Sequence, residues 1–174
     1  MDNTSVAQLQ KQPVLIFSDI TELFEIYSKE IRPRIKETGN LSIHQKASIA
    51  KPTLYIKTDK KIQIINNLEL FYILKDPNLS RNLLKKPLST VQINEAQFCI
   101  QYVFYELIEN IVKYQKNLNI KSIYEQLSKY LNIDMKQKVL GENNFHVTTF
   151  CKLIHLQEQT YYNRCKKRAK NANK

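Results

Sequence analysis

Residues 147–168 read VTTFCKLIHLQEQTYYNRCKKR, and this stretch predicts two short helices with a tight break at residues 155–156. The first helix has one apolar face at helical spacing, made by Phe150, Leu153 and Ile154. Tyr161 and Cys165 are four residues apart, so the second helix also has an edge that faces the interior. The sequence therefore predicts a pair of helices packed on a core.

The outward positions of the second helix carry side chains that hydrogen-bond to base edges and phosphates. We expect contacts to bases or phosphates from Gln157, Gln159, Thr160, Tyr162 and Asn163. We expect contacts to the phosphate backbone from Lys152, Arg164, Lys166, Lys167, Arg168 and Lys170. Residues 152–174 hold +6 of the chain's net charge of +11, and such clustering indicates a polyanionic partner.

The pattern resembles the helix-turn-helix of transposase-like and resolvase-like DNA-binding proteins. Their second helix often carries a Thr-Tyr-Tyr run followed by basic residues, as residues 160–168 do here. One position differs, because His155 stands where the turn often has glycine. A turn with positive φ is harder to form without glycine. The alternative is an amphipathic helical hairpin whose lysines only keep the chain soluble.

The composition excludes several classes of protein. Gly39 and Gly141 are the only glycines, so the sequence has neither a Walker loop nor a dinucleotide-binding fingerprint. The three cysteines are scattered, and the histidines have no partners at metal-ligand spacing. No apolar run reaches the roughly 18 residues of a membrane span. We therefore expect a cytoplasmic protein that is not an enzyme, has no cofactor or metal, and does not bind membranes.

The first half of the chain predicts a small α/β unit over residues 14–93, after a flexible start at 1–13. Its clearest signal is a hairpin formed by residues 53–57 and 61–65, which alternate apolar and polar side chains. The other predicted elements are a strand at 14–17, a helix from Ser18 or Asp19 that ends at Pro33 and Gly39, a helix at 68–74 and a strand at 88–93.

The run LYIKTDKKIQIINNLELFYILK, residues 54–75, resembles the ParB/sulfiredoxin-like N-terminal domain. In that family a strand, a turn and a second strand lead into a helix with an aromatic and apolar face. The family's arginine-rich nucleotide-binding motif has no counterpart after the second strand. The family's nucleotide hydrolysis is therefore not expected here, and Asn66 and Asn67 are expected to be turn and cap residues.

Residues 94–174 predict a helical domain. Asn94 is expected to cap a long helix over residues 96–114, whose apolar face fits either a core helix or a dimer interface. Residues 123–139 form a second, weaker helix-turn-helix candidate that would turn Lys136 and Lys138 towards DNA.

Together these patterns predict an α+β protein with a ParB-like N-terminal domain and an all-α helix-turn-helix C-terminal domain. The leading hypothesis is a protein that binds double-stranded DNA, with a homodimer as one possible form. Its role would be plasmid or chromosome maintenance or transcription control. Two alternatives stay open. One is an adaptor or inhibitor that binds a protein through helix 96–114, and the other is an RNA-binding protein that stacks bases on its tyrosines.

Overall fold

The computed structural model describes residues 2–11, 13–58, 61–76, 78, 83, 85–93 and 99–172, and it has a mixed α+β fold. The strands are β1 (Asp2–Ser5), β2 (Val14–Ile16), β3 (Thr53–Thr58), β4 (Lys61–Ile64) and β5 (Pro87–Gln92). The helices of the first half are α1 (Val6–Gln10), α2 (Thr21–Ile26), α3 (Arg32–Glu37), α4 (Leu41–Ala50) and α5 (Leu68–Lys75). The helices of the second half are α6 (Cys99–Tyr114), α7 (Ile120–Tyr130), α8 (Ile133–Leu140), α9 (Val147–Leu153) and α10 (Glu158–Ala172). A 3-10 turn (Ser18–Ile20) precedes α2 and a π-turn (Tyr27–Ile31) follows it.

The strands form one mixed sheet in the order β1-β5-β3-β4-β2. The predicted hairpin is confirmed, since β3 and β4 are antiparallel with Thr58 opposite Lys61. The predicted strands at 14–17 and 88–93 are also present, as β2 beside β4 and β5 beside β3, both parallel. The predicted helix at 68–74 is α5.

The expectation of a flexible start is wrong for residues 2–11. Residues 2–5 form an edge strand antiparallel to β5. Ser5 and Gln8 then form a capping box at the start of α1, with bonds of 2.7 and 3.2 Å, and Val6 and Leu9 are buried. The partners of this segment lie far away in the sequence, so no local pattern indicates the pairing.

The expectation that Pro33 ends a helix is also wrong. The chain stays helical from α2 through the π-turn into α3, and Pro33 stands in the first turn of α3. Proline is tolerated at the first positions of a helical segment, and here that segment begins directly after the π-turn. The helix ends just before Gly39, which takes a φ of +73°.

The predicted boundary near residue 93 does not separate two cores. The larger core contains α2 and α3 together with α6, α7, α9 and α10, and extends from Ile20 to Tyr161. A smaller core joins the sheet to α1, α4 and α5, with Ile62 and Ile73 among its members. Residues 94–98, including the predicted cap Asn94, lie outside the described residues.

Helix α6 is a core helix along its main apolar stripe. The buried members of the stripe are Ile100, Val103, Phe104, Leu107 and Ile111. Two tyrosines elsewhere on this helix, Tyr102 and Tyr105, are 53% and 47% exposed. The main stripe therefore belongs to the interior of one chain.

A buried carboxylate joins four elements on one side of α6. Glu69, in the first turn of α5, is 1% exposed and accepts hydrogen bonds from the Tyr27 hydroxyl at 2.6 Å and the Gln45 amide at 3.2 Å. Arg32 adds a forked ion pair, with Nε at 2.9 Å and Nη2 at 3.2 Å, and its guanidinium lies 3.8 Å from the centre of the Tyr72 ring. A buried charge is costly unless it is paired, so this carboxylate holds the π-turn, α3 and α4 against α5.

The same network fixes the hydrogen positions on His44. The Tyr27 hydroxyl donates its single hydrogen to Glu69, so His44 Nε2 must donate to the Tyr27 oxygen, 2.9 Å away. His44 Nδ1 is then the acceptor for the Tyr114 hydroxyl at 3.3 Å. Burial lowers the pKa of His44 below its ordinary value of 6.5, which agrees with a neutral ring.

We predict that His44→Gln removes part of the protein's loss of stability in acid. Because the pKa of His44 is lowered on folding, below about pH 6.5 the unfolded chain binds a proton that the folded chain does not, and the free energy of unfolding falls. In urea titrations, the stability advantage of the wild type over His44→Gln should therefore shrink from about pH 8 to about pH 5.

Tyr27→Phe is the matched control, because it removes a hydroxyl of the network and keeps the imidazole. It should lower the free energy of unfolding by about 1–3 kcal/mol at neutral pH. It should still lose stability towards acid pH as the wild type does. An advantage over His44→Gln that stays constant across this pH range would contradict the prediction.

Candidate nucleic-acid interface

Helices α9 and α10 meet at the predicted break. Leu156 N–H donates to Cys151 C=O at 2.9 Å and His155 N–H donates to Lys152 C=O at 3.2 Å, which is the Schellman pattern of a helix C-terminus. His155 has a φ of +52°, the left-handed conformation that glycine adopts most easily. Leu156 packs against the larger core. The predicted break between two short helices is therefore confirmed, and His155 adopts the positive φ although it is not a glycine.

An aromatic cluster holds this helical pair on α7. Tyr124 of α7 lies between Phe150 of α9 and Tyr161 of α10, with ring centres 5.4 and 6.2 Å away. Phe145 closes the cluster at 6.0 Å from Phe150. Burial raises the pKa of the Tyr161 hydroxyl, and the side chain faces the core as its spacing predicted.

The opposite face of α10 is polar and open to solvent. Gln159 and Asn163 share it, and the Gln159 amide donates to the Asn163 side-chain oxygen at 3.3 Å. The exposed side chains near it also include Gln157, Tyr162, Lys166 and Lys167, whereas Thr160 is half-buried. Lys152 is exposed in the last turn of α9. Lys170 lies in the described backbone of α10.

Two of the predicted phosphate contacts are engaged inside the protein. Arg164 Nη1 donates to Gln115 C=O at 3.2 Å. Arg168 Nη2 donates to Leu118 C=O at 3.0 Å and, more weakly, to Asn117 C=O at 3.5 Å. These carbonyls follow the end of α6, so both arginines fasten α10 to that end.

Gln115 completes the fastening from the other side. Its side-chain amide donates to Ile154 C=O at 3.3 Å, directly before the turn, and to Val112 C=O at 3.3 Å. No pattern in the sequence points to Gln115, since a glutamine after a helix carries no local signal for a contact 39 residues away. The loop after α6 therefore sets both the turn and the direction of α10.

Three lysines of the candidate interface are free of ion pairs with the side chains that the structure describes. Within the part of the chain whose side chains are described, Lys152, Lys166 and Lys167 form no salt bridge. Glu158, in the first turn of α10, is the only acid in that helix. The face that carries Gln159 and Asn163 therefore has positive charge available for an external anion.

The second helix-turn-helix candidate is built differently. Helices α7 and α8 are joined through Asn132, whose side chain accepts from Met135 N–H at 2.9 Å. The end of α8 packs on α6, because Gln101 and Tyr105 donate to the carbonyls of Lys138 and Val139. Lys138 is exposed and Lys136 is half-buried.

A nucleotide site after β4 would require free backbone N–H groups. In this structure these groups donate hydrogen bonds to a side chain of the protein itself. The Glu106 carboxylate accepts from Asn67 N–H at 2.5 Å and from Leu68 N–H at 3.2 Å, and so caps α5. Asn67 takes a φ of +65°, and its buried side chain bonds to Ser48 and Thr53. The prediction that Asn66 and Asn67 are turn residues is confirmed, whereas the side-chain cap comes from Glu106.

Metal-binding clusters and membrane-spanning helices are both absent from the described residues. These residues contain no group of three or more His, Cys, Asp or Glu side chains that could hold a metal ion. No helix within them combines the length and apolar character needed to cross a membrane.

Comparisons of the chain with protein-family models, with curated proteins and with solved structures gave no significant match.

We predict that His155→Gly stabilises the protein. Glycine removes the roughly 1–2 kcal/mol of strain of a left-handed residue, less the roughly 0.5–1 kcal/mol that its freedom costs in the unfolded chain. Urea titration should show a net gain. His146→Gly is the control, because His146 has a φ of −90° and offers no such relief. Equal effects at the two positions would show that the turn is not strained.

Proposed function

We propose that this chain is a non-enzymatic protein that binds double-stranded DNA through α9 and α10, with α10 as the helix that enters the major groove. The observation that carries the proposal is the two-sided character of α10. Tyr161 fixes one side in an aromatic core, while Gln159 and Asn163 stand on an exposed side flanked by unpaired lysines. A single Gln or Asn side chain can make two hydrogen bonds to an adenine in the major groove.

The charge distribution supports a nucleic-acid partner. Residues 152–174 carry a net charge of +6, and the lysines described there have no acidic partner. Lysine contacts to phosphates supply affinity without sequence preference, whereas base contacts supply the preference. In this proposal Lys152, Lys166, Lys167 and Lys170 bind the backbone, and Gln157, Gln159, Thr160, Tyr162 and Asn163 contact bases or phosphates.

The proposal assigns the two arginines to a different task. Arg164 and Arg168 already donate hydrogen bonds to backbone carbonyls after α6. In this proposal their main role is therefore to orient α10. An arginine has five donors, and the N–H groups that remain free can still approach a phosphate.

The ParB-like assignment of the first half is part of the same proposal. The hairpin β3–β4 that leads into α5 is the arrangement on which that resemblance rests. The proposal implies a cytoplasmic factor in plasmid or chromosome maintenance or in transcription control. A protein adaptor acting through α6 is the weaker account, because the main apolar stripe of that helix is buried.

We predict that Gln159→Ala or Asn163→Ala relaxes sequence preference at one or two base pairs by about 1–3 kcal/mol while the fold survives. Lys167→Ala should instead weaken binding to all sequences about equally, because phosphates are the same in every sequence. Selection from random duplexes with each variant measures both effects.

Tyr161→Ala is the control for folding, since opening the aromatic core should lower the melting temperature first. If the Gln159 and Asn163 variants keep the parental preference at every base pair, α10 does not read bases. The pair α7 and α8, or a protein partner, would then be the better account.

We also predict that the chain neither binds nor hydrolyses CTP or ATP. The Glu106 carboxylate accepts hydrogen bonds from the N–H groups at the start of α5. The turn between β4 and α5 contains no glycine or arginine that could hold a triphosphate. Calorimetry on a sample that binds duplex DNA tests this prediction. Micromolar CTP binding would overturn it and would restore a nucleotide-driven clamp.

A further inference from the structure

A basic cleft lies beside the candidate reading helix, at the end of α6. Its volume is about 570 Å³, and its lining includes Asn40, Ile43, Lys113, Lys116 and Arg164. None of the described residues that line it is acidic. It is therefore a concave surface with three cations on its wall.

The two lysines of this cleft have no anion to neutralise them. Within the described residues, neither Lys113 nor Lys116 forms a salt bridge, and both are exposed. Lysines at the end of a helix often interact with its free carbonyls. Here the carbonyls of Gln115 and Leu118 already accept from Arg164 and Arg168. The Lys113 ammonium lies 5.3 Å from the centre of the Tyr114 ring. Since neither lysine has a salt bridge among the described residues, both can bind an anionic ligand.

The cleft borders the exposed face of α10. Arg164 follows Asn163 of that face and precedes Cys165 of the buried edge, so its side chain leaves α10 sideways, towards the carbonyl of Gln115. Lys113 and Lys116 line the same cleft. A helix in the major groove, which is about 12 Å wide, has a phosphate strand on each side. A basic cleft on one side of α10 is therefore a candidate site for one of those strands.

We infer that this cleft binds the phosphodiester backbone of DNA next to the bases that α10 reads, with Lys113 and Lys116 as the contacting side chains. The inference rests on the proposed function and extends it, because these lysines come from outside the two helices of the motif. They contribute affinity and register and carry no sequence information.

The test compares two double variants with equal loss of charge. Lys113→Gln/Lys116→Gln removes the lysines of the cleft, and Lys11→Gln/Lys57→Gln removes two exposed lysines that do not line it. Duplex binding is titrated against salt for both variants and for the wild type. Each phosphate that is no longer neutralised should lower the slope of log K against log salt by about 0.9, so the slope of the first variant should fall by roughly 2.

The control variant should keep a slope close to that of the wild type, and all three proteins should select the same bases. Ethylation of single phosphates should identify positions that weaken the wild type and no longer affect Lys113→Gln/Lys116→Gln. Lys116→Glu gives a second test, because an acid in the cleft should weaken duplex binding more than the loss of the charge does.

The outcomes separate this inference from the proposed function. If the wild type shows no salt-dependent duplex binding, the proposed function fails and the inference fails with it. If the wild type binds but Lys113→Gln/Lys116→Gln keeps its full slope, the inference alone is overturned. Equal losses in the two double variants would also overturn it, because they would show only a general effect of net charge.

Discussion

The ion pair between Glu69 and Arg32 is the interaction around which the helices of this protein are arranged. Taking a carboxylate out of water is costly unless several donors replace the water, and here Tyr27, Arg32 and Gln45 supply them. These donors come from the π-turn, α3 and α4, so the three elements must meet at the start of α5. His44 then connects the same network to Tyr114, the last residue of α6. The network thereby links the helix beside the sheet to the helix that supports the C-terminal pair.

Hydrogen bonds at the end of α6 connect this network to α10. Gln115 bonds to the carbonyl that precedes the turn, and Arg164 and Arg168 bond to carbonyls of the loop. A helix fastened at its turn and along one side is held in place before any partner arrives. Binding then requires little further ordering of the backbone, which is the main entropic cost that rigid surfaces avoid. In the proposed function, the contacts to α6 therefore contribute to recognition by holding α10 in place.

Local patterns in the sequence predicted most elements, and distant contacts explain the failures. The hairpin β3–β4 and the turn at His155 each depend on neighbours within a few residues, so period and spacing were sufficient. The pairing of residues 2–5 with residues 87–90 of β5 joins segments that are far apart in the sequence, and the helix through Pro33 depends on a π-turn that no propensity signals. At the candidate site, spacing predicted which residues of α10 face outwards. It could not show that Arg164 is engaged with a carbonyl of another element, because charge alone does not identify a partner.

The acidic side chains of α6 have partners within the protein, whereas the lysines near its end have none among the described residues. Unpaired positive charge therefore lies near one end of this helix. Glu106 accepts two N–H groups of α5 and Glu109 pairs with Lys51 at 3.1 Å, so the acidic groups of this helix are bound internally. Lys113, one turn later, and Lys116, just beyond the end of the helix, are not paired within the described residues. Unpaired charge of one sign at one end of a molecule orients it during encounter with an oppositely charged partner. In the proposed function that end is the one with α10, so a polyanion would meet the reading helix before it met the sheet.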